Sequence, residues 1–299
     1  MEIDQLKAFQ QIARTGSYSI ASRNLFITQS AVSHQIRKLE KELDIKLFER
    51  LGNVSKLTKQ GEVLSVGVDK LLDALDNLIK LSEDIRGSKY GHLSIATTNG
   101  IMSYVLEDVI DRFAKQFPKI RFKLISGAVA TELVSLVSND EVDLSIVPKV
   151  NQAEFRKLTF KHWRSFGLVL LTAKDHPLQK KKAINLRAIS RLPLILYRKG
   201  AVLRRLVDDA FARSNLPYDV VMETDLEENL RNYVEKGIGV TITVSFAVTP
   251  EDKKRFWSVD VSHLFGKMDY GIYYRKNKYV TKAMLQFIKI FTSSFPSCR

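Results

Sequence analysis

The chain of 299 residues carries 47 Lys and Arg against 33 Asp and Glu, a formal net charge of +14, and has one cysteine. That length implies two or three units with sizeable cores; no apolar run reaches the roughly 18 residues of a bilayer span, and the opening Met1-Glu2-Ile3-Asp4 lacks the basic-then-apolar pattern of a signal peptide. A lone Cys298 excludes an intrachain disulfide and a multi-cysteine zinc site, so a cytoplasmic location is expected, and the basic excess makes nucleic acid a leading partner.

Leu6, Phe9, Ile12 and Ala13 recur at helical spacing, and Gly16 supplies a left-handed stop. Ser17 caps a short second helix with Ala21 and Leu25, and Thr28 caps a third. On that third helix Ala31, Val32, Ile36 and Leu39 share one arc, while Gln29, Ser30, Ser33, His34 and Arg37 share the other. One face packs and the other is free to read a partner. Leu47-Phe48-Glu49-Arg50, the turn signal Gly52-Asn53 and Val54-Ser55-Lys56-Leu57 predict a small hairpin.

From Thr58 to Arg86 there is no proline, and Leu64, Leu71, Leu78 and Ile85 repeat every seven residues with Val68 and Leu75 in the intervening seam positions. A narrow stripe of this kind suits a partner helix, with a helix packed on its own domain as the other reading. Ser82 interrupts the register, and Gly61 and Gly67 weaken the first turns.

After Gly87-Ser88 short β-branched runs alternate with helical segments. Strands are expected at 93–96, 120–125, 142–147, 168–171, 194–197, 220–222, 240–242 and 271–274, with helices over 102–117, 131–138, 203–214, 226–236 and 282–292. This is an α/β pattern with buried parallel strands. Two such lobes, about 88–162 with 268–299 and about 163–267, would leave a cleft at the carboxyl ends of their strands. The divisions are then 1–58, 59–87 and 88–299.

The ordered string Gly16-Ser17-Tyr18-Ser19, Ala21, Leu25, Thr28 to Ile36, Leu39-Glu40, Leu47 to Arg50 and Leu57 to Glu62 resembles the winged helix-turn-helix of LysR-type transcriptional regulators. Pro118, Asp175-His176-Pro177-Leu178, Val234 and Gly237-Ile238-Gly239-Val240 extend the resemblance to essentially the whole chain. It implies a multidomain α/β protein: an N-terminal winged helix-turn-helix, a long linker helix for dimerisation, and a two-lobed, periplasmic-binding-protein-like effector domain. Ile20, Ser22 and Asn53 depart from the usual pattern. His162-Trp163-Arg164-Ser165 is similar to the sulfur-assimilation branch, but Pro148 and Lys199-Gly200-Ala201 stand where that branch has anion-binding threonines, so its inducers are not carried over.

By the resemblance the third helix enters the major groove, and its chemistry agrees. Gln29 can pair with adenine, Arg37 with guanine or phosphate, and Ser30 and Ser33 with either; an ordinary solvated face is the bland reading. Ser17, Thr28, His34, Arg50 and Lys56 complete the implied DNA-contacting set. For the effector, positions at strand ends select Thr97, Thr98, Asn99, Gly100 and Ile101 after the first strand, Arg198-Lys199-Gly200-Ala201 after a lobe-two strand, and Gly127, Pro148 and Thr241 at other strand ends; by the resemblance the first of these loops lines the inducer site. Thr98 or Asn99 can equally serve as a helix cap. The implied partners are promoter DNA, a second or fourth copy of the chain, a small-molecule effector, and RNA polymerase. No cofactor or metal is implied.

Residues 88–299 hold 34 Lys and Arg against 21 Asp and Glu. That excess, with the hydroxyls of Thr97 and Thr98 and the cations of Arg198 and Lys199, predicts an anionic effector. The five histidines have no metal-ligand spacing, no Gly-x-Ser-x-Gly or phosphate-loop motif occurs, and Gly237-Ile238-Gly239 lacks the third glycine of a dinucleotide turn, so no enzyme is expected. The other reading is a non-specific architectural DNA-binding protein with a ligand-free C-terminal domain, separable by its specificity ratio.

Overall fold

The computed structural model describes residues 1–51, 54–85, 90–181 and 183–294. Its contacts divide the chain into two units, Met1–Glu83 with Asn277–Tyr279, and Asp84–Lys276 with Val280–Arg299. The turn expected at Gly52-Asn53, the Gly87-Ser88 junction, Lys182 and Cys298 lie outside the described residues.

In the first unit α1 (Ile3–Thr15), α2 (Tyr18–Leu25) and α3 (Gln29–Leu43) are followed by β1 (Phe48–Leu51), β2 (Val54–Leu57) and the 27-residue α4 (Lys59–Ile85). Local chemistry sets each boundary. The Ser17 hydroxyl accepts from the Ile20 amide at 3.3 Å and that of Thr28 from the Ala31 amide at 3.2 Å, meeting orphan donors at the starts of α2 and α3. Leu6, Phe9, Ile12, Ala21, Val32, Ile36 and Leu39, which their periodicity places on packing faces, form the core together with Leu47.

Gly61 has a packing reason: a Cβ there would lie 2.3 Å from the Leu47 carbonyl oxygen. The glycine that weakens α4 as a helix lets it close on the winged domain. Leu64 and Val68 follow it inward, Val68 buried and Leu64 packed against the same core. Part of the expected partner seam is therefore an intrachain contact. The outward stripe runs through Val63, Val66, Leu71, Leu78, Leu81 and Ile85, with Leu78 62% and Ile85 78% exposed. Leu75 is half-buried.

The second unit contains β3 (Tyr90–Thr98), α5 (Asn99–Ile101), a π-helical turn Met102–Leu106, α6 (Glu107–Gln116), β4 (Lys119–Gly127), α7 (Ala130–Ser138) and β5 (Leu144–Pro148). Then follow β6 (Leu158–Ala173), α8 (Leu186–Ile189), β7 (Pro193–Tyr197), α9 (Val202–Arg213), β8 (Asp219–Thr224) and α10 (Glu227–Glu235). The chain ends through β9 (Thr241–Val244), β10 (Phe256–Asp260), α11 (Ser262–Phe265), β11 (Lys267–Arg275) and α12 (Lys282–Ser293).

Strands run in the order β10-β6-β11-β5-β3-β4, with β9 also paired to β6. Parallel β3 and β5 pair inside the sheet between β4 and β11, and Leu93, Ile95, Ala96, Leu144, Ile146 and Val147 are buried there. The strand expected at 168–171 is the second half of a longer one. β6 pairs with β11 through Leu158–Gly167 and then with β9 and β10 through Leu168–Ala173, so one strand serves both lobes. Gly237 turns α10 toward β9 with φ +73°, and a Cβ on Gly239 would lie 2.6 Å from the Pro193 carbonyl oxygen. This pair ends a helix and admits close strand packing.

Candidate DNA-facing surface and effector cavity

On the first unit Thr28, Gln29, Ser30, His34, Arg37 and Lys56 are exposed, and Ser17 and Ser33 are half-buried. Burial of Val32, Ile36 and Leu39 orients α3, so its polar arc faces outward. Gln29 is positioned by Ser19, whose hydroxyl donates to Gln29 Oε1 at 2.9 Å, and Arg37 Nε donates to the Ser33 carbonyl at 3.3 Å. Ser17, Gln29, Ser33, Arg37 and Ser55 border a polar concavity of about 620 Å³ between α2, α3 and the hairpin. The side chain of Arg50 falls outside what is described.

In the second unit a cavity lies where strand ends of the two lobes meet. Thr98, Asn99, Gly100, Gly127, Pro148 and Ala201 line it as the sequence predicts. The other predicted residues do not. Strand alternation turns Thr97 away, fully buried, with its hydroxyl donating to the Ile146 carbonyl at 2.7 Å. Ile101 packs into the hydrophobic core, Thr241 is fully buried in β9, and Lys199 and Gly200 are exposed outside the lining. Arg198 is committed elsewhere: Nη2 meets Glu132 of lobe one at 3.1 Å and Nε meets Asp225 at 2.8 Å. Asn99 Nδ2 also joins the lobes, donating to the Asp225 carbonyl at 2.7 Å.

Among the lining residues missed are Tyr197, Glu227, Thr243, Phe246, Met268 and Tyr270. Tyr197, at the end of β7, and Glu227, which opens α10 after β8, obey the strand-end rule that selected Arg198. Tyr270 lies in antiparallel β11, whose register no local pattern announces.

Glu227 is the chemical centre of the cavity, a carboxyl only 4% exposed. Thr243 donates to Oε1 at 2.9 Å and the Tyr197 hydroxyl donates to Oε2. One turn along α10, buried Arg231 donates from Nη1 to the Ala247 carbonyl at 2.7 Å and from Nη2 to buried Asp252. Its guanidinium carbon lies 5.7 Å from the Tyr104 ring centroid and 5.1 Å from that of Phe256. Burial pushes the Glu227 carboxyl up to about 7, against the Thr243 bond and the Arg231 charge, with Asp252 adding to the rise. Burial and the Glu227 charge together raise the Tyr270 phenol, opposed by the Thr98 hydroxyl. Burial also works against an ionised Asp252, but the Arg231 and Thr249 bonds outweigh it and hold that carboxyl low.

Among the described lining residues none is Lys or Arg. Of the features behind an anionic effector, Thr98 lines the cavity, whereas Thr97, Arg198 and Lys199 do not, and the one charged side chain among the described lining residues is acidic. Space for the centres of water-sized molecules is about 40 Å³, room for a few waters at roughly 10–15 Å³ each.

These two features, an exposed reading helix and an inter-lobe cavity, are what a ligand-responsive DNA-binding regulator requires. Residues 3–62 match the family described as bacterial regulatory helix-turn-helix protein, lysR family, and residues 86–296 match the LysR substrate binding domain. The chain belongs to the LysR-type family and is a sequence-specific DNA-binding transcriptional regulator modulated by a small-molecule effector. It is similar to the HTH-type transcriptional regulator cbl of Escherichia coli, 32% identical over 268 residues, 89% of this chain and 84% of that protein. With the regulator CysB of Burkholderia cenocepacia it shares 29% over 295 residues, covering 95% and 93%. A full-length OxyR variant from Pseudomonas aeruginosa has the same fold, with a TM-score of 0.71 at 20% identity over 100% of this chain and 95% of that one. Among the described residues no helix is long and apolar enough to cross a membrane.

Proposed function

We propose that α3 reads promoter DNA through Gln29, Ser30, Ser33 and Arg37, with Ser17, Thr28, His34, Arg50 and Lys56 contacting bases or backbone around it. The carrying observation is the division of α3 into a buried apolar arc and an outward polar arc. Side chains of these types match base-edge donors and acceptors. The outer stripe of α4 through Leu71, Leu78 and Ile85 joins two copies, which sets two reading helices on a symmetric site. Promoter DNA puts the working protein in the cytoplasm.

The inter-lobe cavity is the effector site. Its single carboxyl, held by two hydroxyl donors, gives the cavity a polar centre for a ligand. A formed cavity with a buried polar centre also disfavours the architectural reading, in which the domain would be ligand-free.

Selection of bound duplexes from a random pool tests the DNA assignment. Convergence on a motif with dyad symmetry is expected from the wild type, with Gln29→Ala and Arg37→Ala relaxing defined positions. Enrichment of no sequence, or an unchanged motif in both variants, would sink it. Leu78→Lys should shift sedimentation toward monomer, because it buries an unpaired charge in the stripe; an intact oligomer would remove α4 as the interface.

A further inference from the structure

A buried carboxyl in a binding cavity constrains what can bind there, because an ionised group removed from water must be neutralised by a partner. Glu227 has two hydroxyl donors, from Tyr197 and Thr243, but these supply no net charge. Arg231 has its Nη1 and Nη2 bonds on the Ala247 carbonyl and on Asp252. With Glu227 ionised, the buried group of Glu227, Arg231 and Asp252 carries one net negative charge. The remaining titratable groups around it are the phenols of Tyr197, Tyr270 and Tyr104, which face it from β7, β11 and the π-helical turn, and none of them is a cation. The deficit opens onto the cavity, since Glu227 itself lines it.

We propose that the effector of this site is a small molecule that presents a protonated primary amine to the Glu227 carboxylate. The assignment rests on the inter-lobe cavity being the effector site. An ammonium group supplies the missing positive charge and donates to carboxylate lone pairs that Tyr197 and Thr243 leave open; the carboxylate has about four such sites. Thr98 Oγ1, buried in the same lining, offers an acceptor for a second donor on the same ligand. An anionic ligand finds no lining cation and would have to keep Glu227 protonated. In the empty cavity a proton on Glu227 does the neutralising, and the ammonium takes its place. Binding near neutral pH therefore releases a proton.

Isothermal titration of the full-length protein with ethanolamine, propylamine, propionamide and propionate, each in two buffers of different ionisation heat, tests this. Both amines should bind, and the buffer dependence should show net proton release that grows as the pH is lowered from 8 to 6, because burial raises the Glu227 carboxyl and more of it is protonated there. Glu227→Gln should weaken amine binding at least tenfold and abolish the proton release, with Glu227→Asp retaining part of both. Failure of both amines to bind at millimolar concentration, amine binding without proton release, or equal amine affinity in Glu227→Gln overturns the assignment. Ala128→Trp, which fills the cavity, separates that failure from failure of the site. If propionate or propionamide binds the wild type and Ala128→Trp abolishes it, the cavity is the effector site and only the amine is wrong. Where Ala128→Trp leaves binding of every compound intact, the cavity reading itself falls.

Discussion

The reading surface of α3 and the cavity around Glu227 solve opposite problems. On α3 the functional side chains are neighbours in sequence and stand in water, positioned by the buried Val32, Ile36 and Leu39 behind them. The cavity draws its lining from Thr98 to Tyr270, and its central charge is removed from water and held by hydrogen bonds from separate strands. A surface of the first kind tolerates substitution with little cost to folding and changes its partner. A site of the second kind links recognition to stability, because the same carboxyl serves both.

Breaking the buried charge group should give the largest effect. Arg231→Met leaves Asp252 and Glu227 without their cation and should lower stability by about 3–5 kcal/mol, the usual cost of removing one partner from a buried pair. Denaturant unfolding of the full chain measures it, and a loss below about 1 kcal/mol would make the cavity no different in kind from the surface.

Next comes pH. Glu227 is raised from 4.5 when unfolded to about 7 in the fold. The folded state therefore holds more protons between those values, and stability falls as pH rises through that window. Glu227→Gln removes this term. Its unfolding free energy relative to wild type should improve by roughly 3 kcal/mol from pH 4 to pH 8, and a pH-independent difference would show that the carboxyl ionises normally.

For α3, Arg37→Ala should cost roughly 1–3 kcal/mol of specific DNA binding if it meets a base edge, with the thermal midpoint of the protein unchanged. Competition gel shifts against random duplex provide the number; loss of fold alongside loss of binding would erase the contrast between the two regions. The smallest effect is expected at Lys199, outside the cavity lining. Lys199→Met should change stability by no more than about 0.5 kcal/mol and leave amine affinity within twofold in the titration above.

The same contrast explains what could be read beforehand. Helices α1 to α3 were legible because each is written locally: an apolar period, Ser17 and Thr28 as caps, and Gly16 as a stop. At the cavity, Thr98, Asn99, Gly127 and Pro148 followed from a topological rule about strand ends. Glu227 and Thr243 were not singled out, because their importance comes from each other and from Tyr197, which lies 46 positions before Thr243. The seven-residue stripe of α4 was visible, but its division between core and outside was not. That division depends on how far Gly61 lets the helix approach Leu47.

β6 carries a consequence for engineering. Its sixteen residues serve both lobes, held by β11 over one half and by β9 and β10 over the other. A cut anywhere inside it strips strand partners from both lobes at once, and a lobe expressed alone would expose open edges prone to pairing with other chains. Neither lobe is a detachable module. Exchanging ligand specificity between relatives therefore calls for grafting side chains around Glu227 within an intact domain, with the strand backbone left as it is.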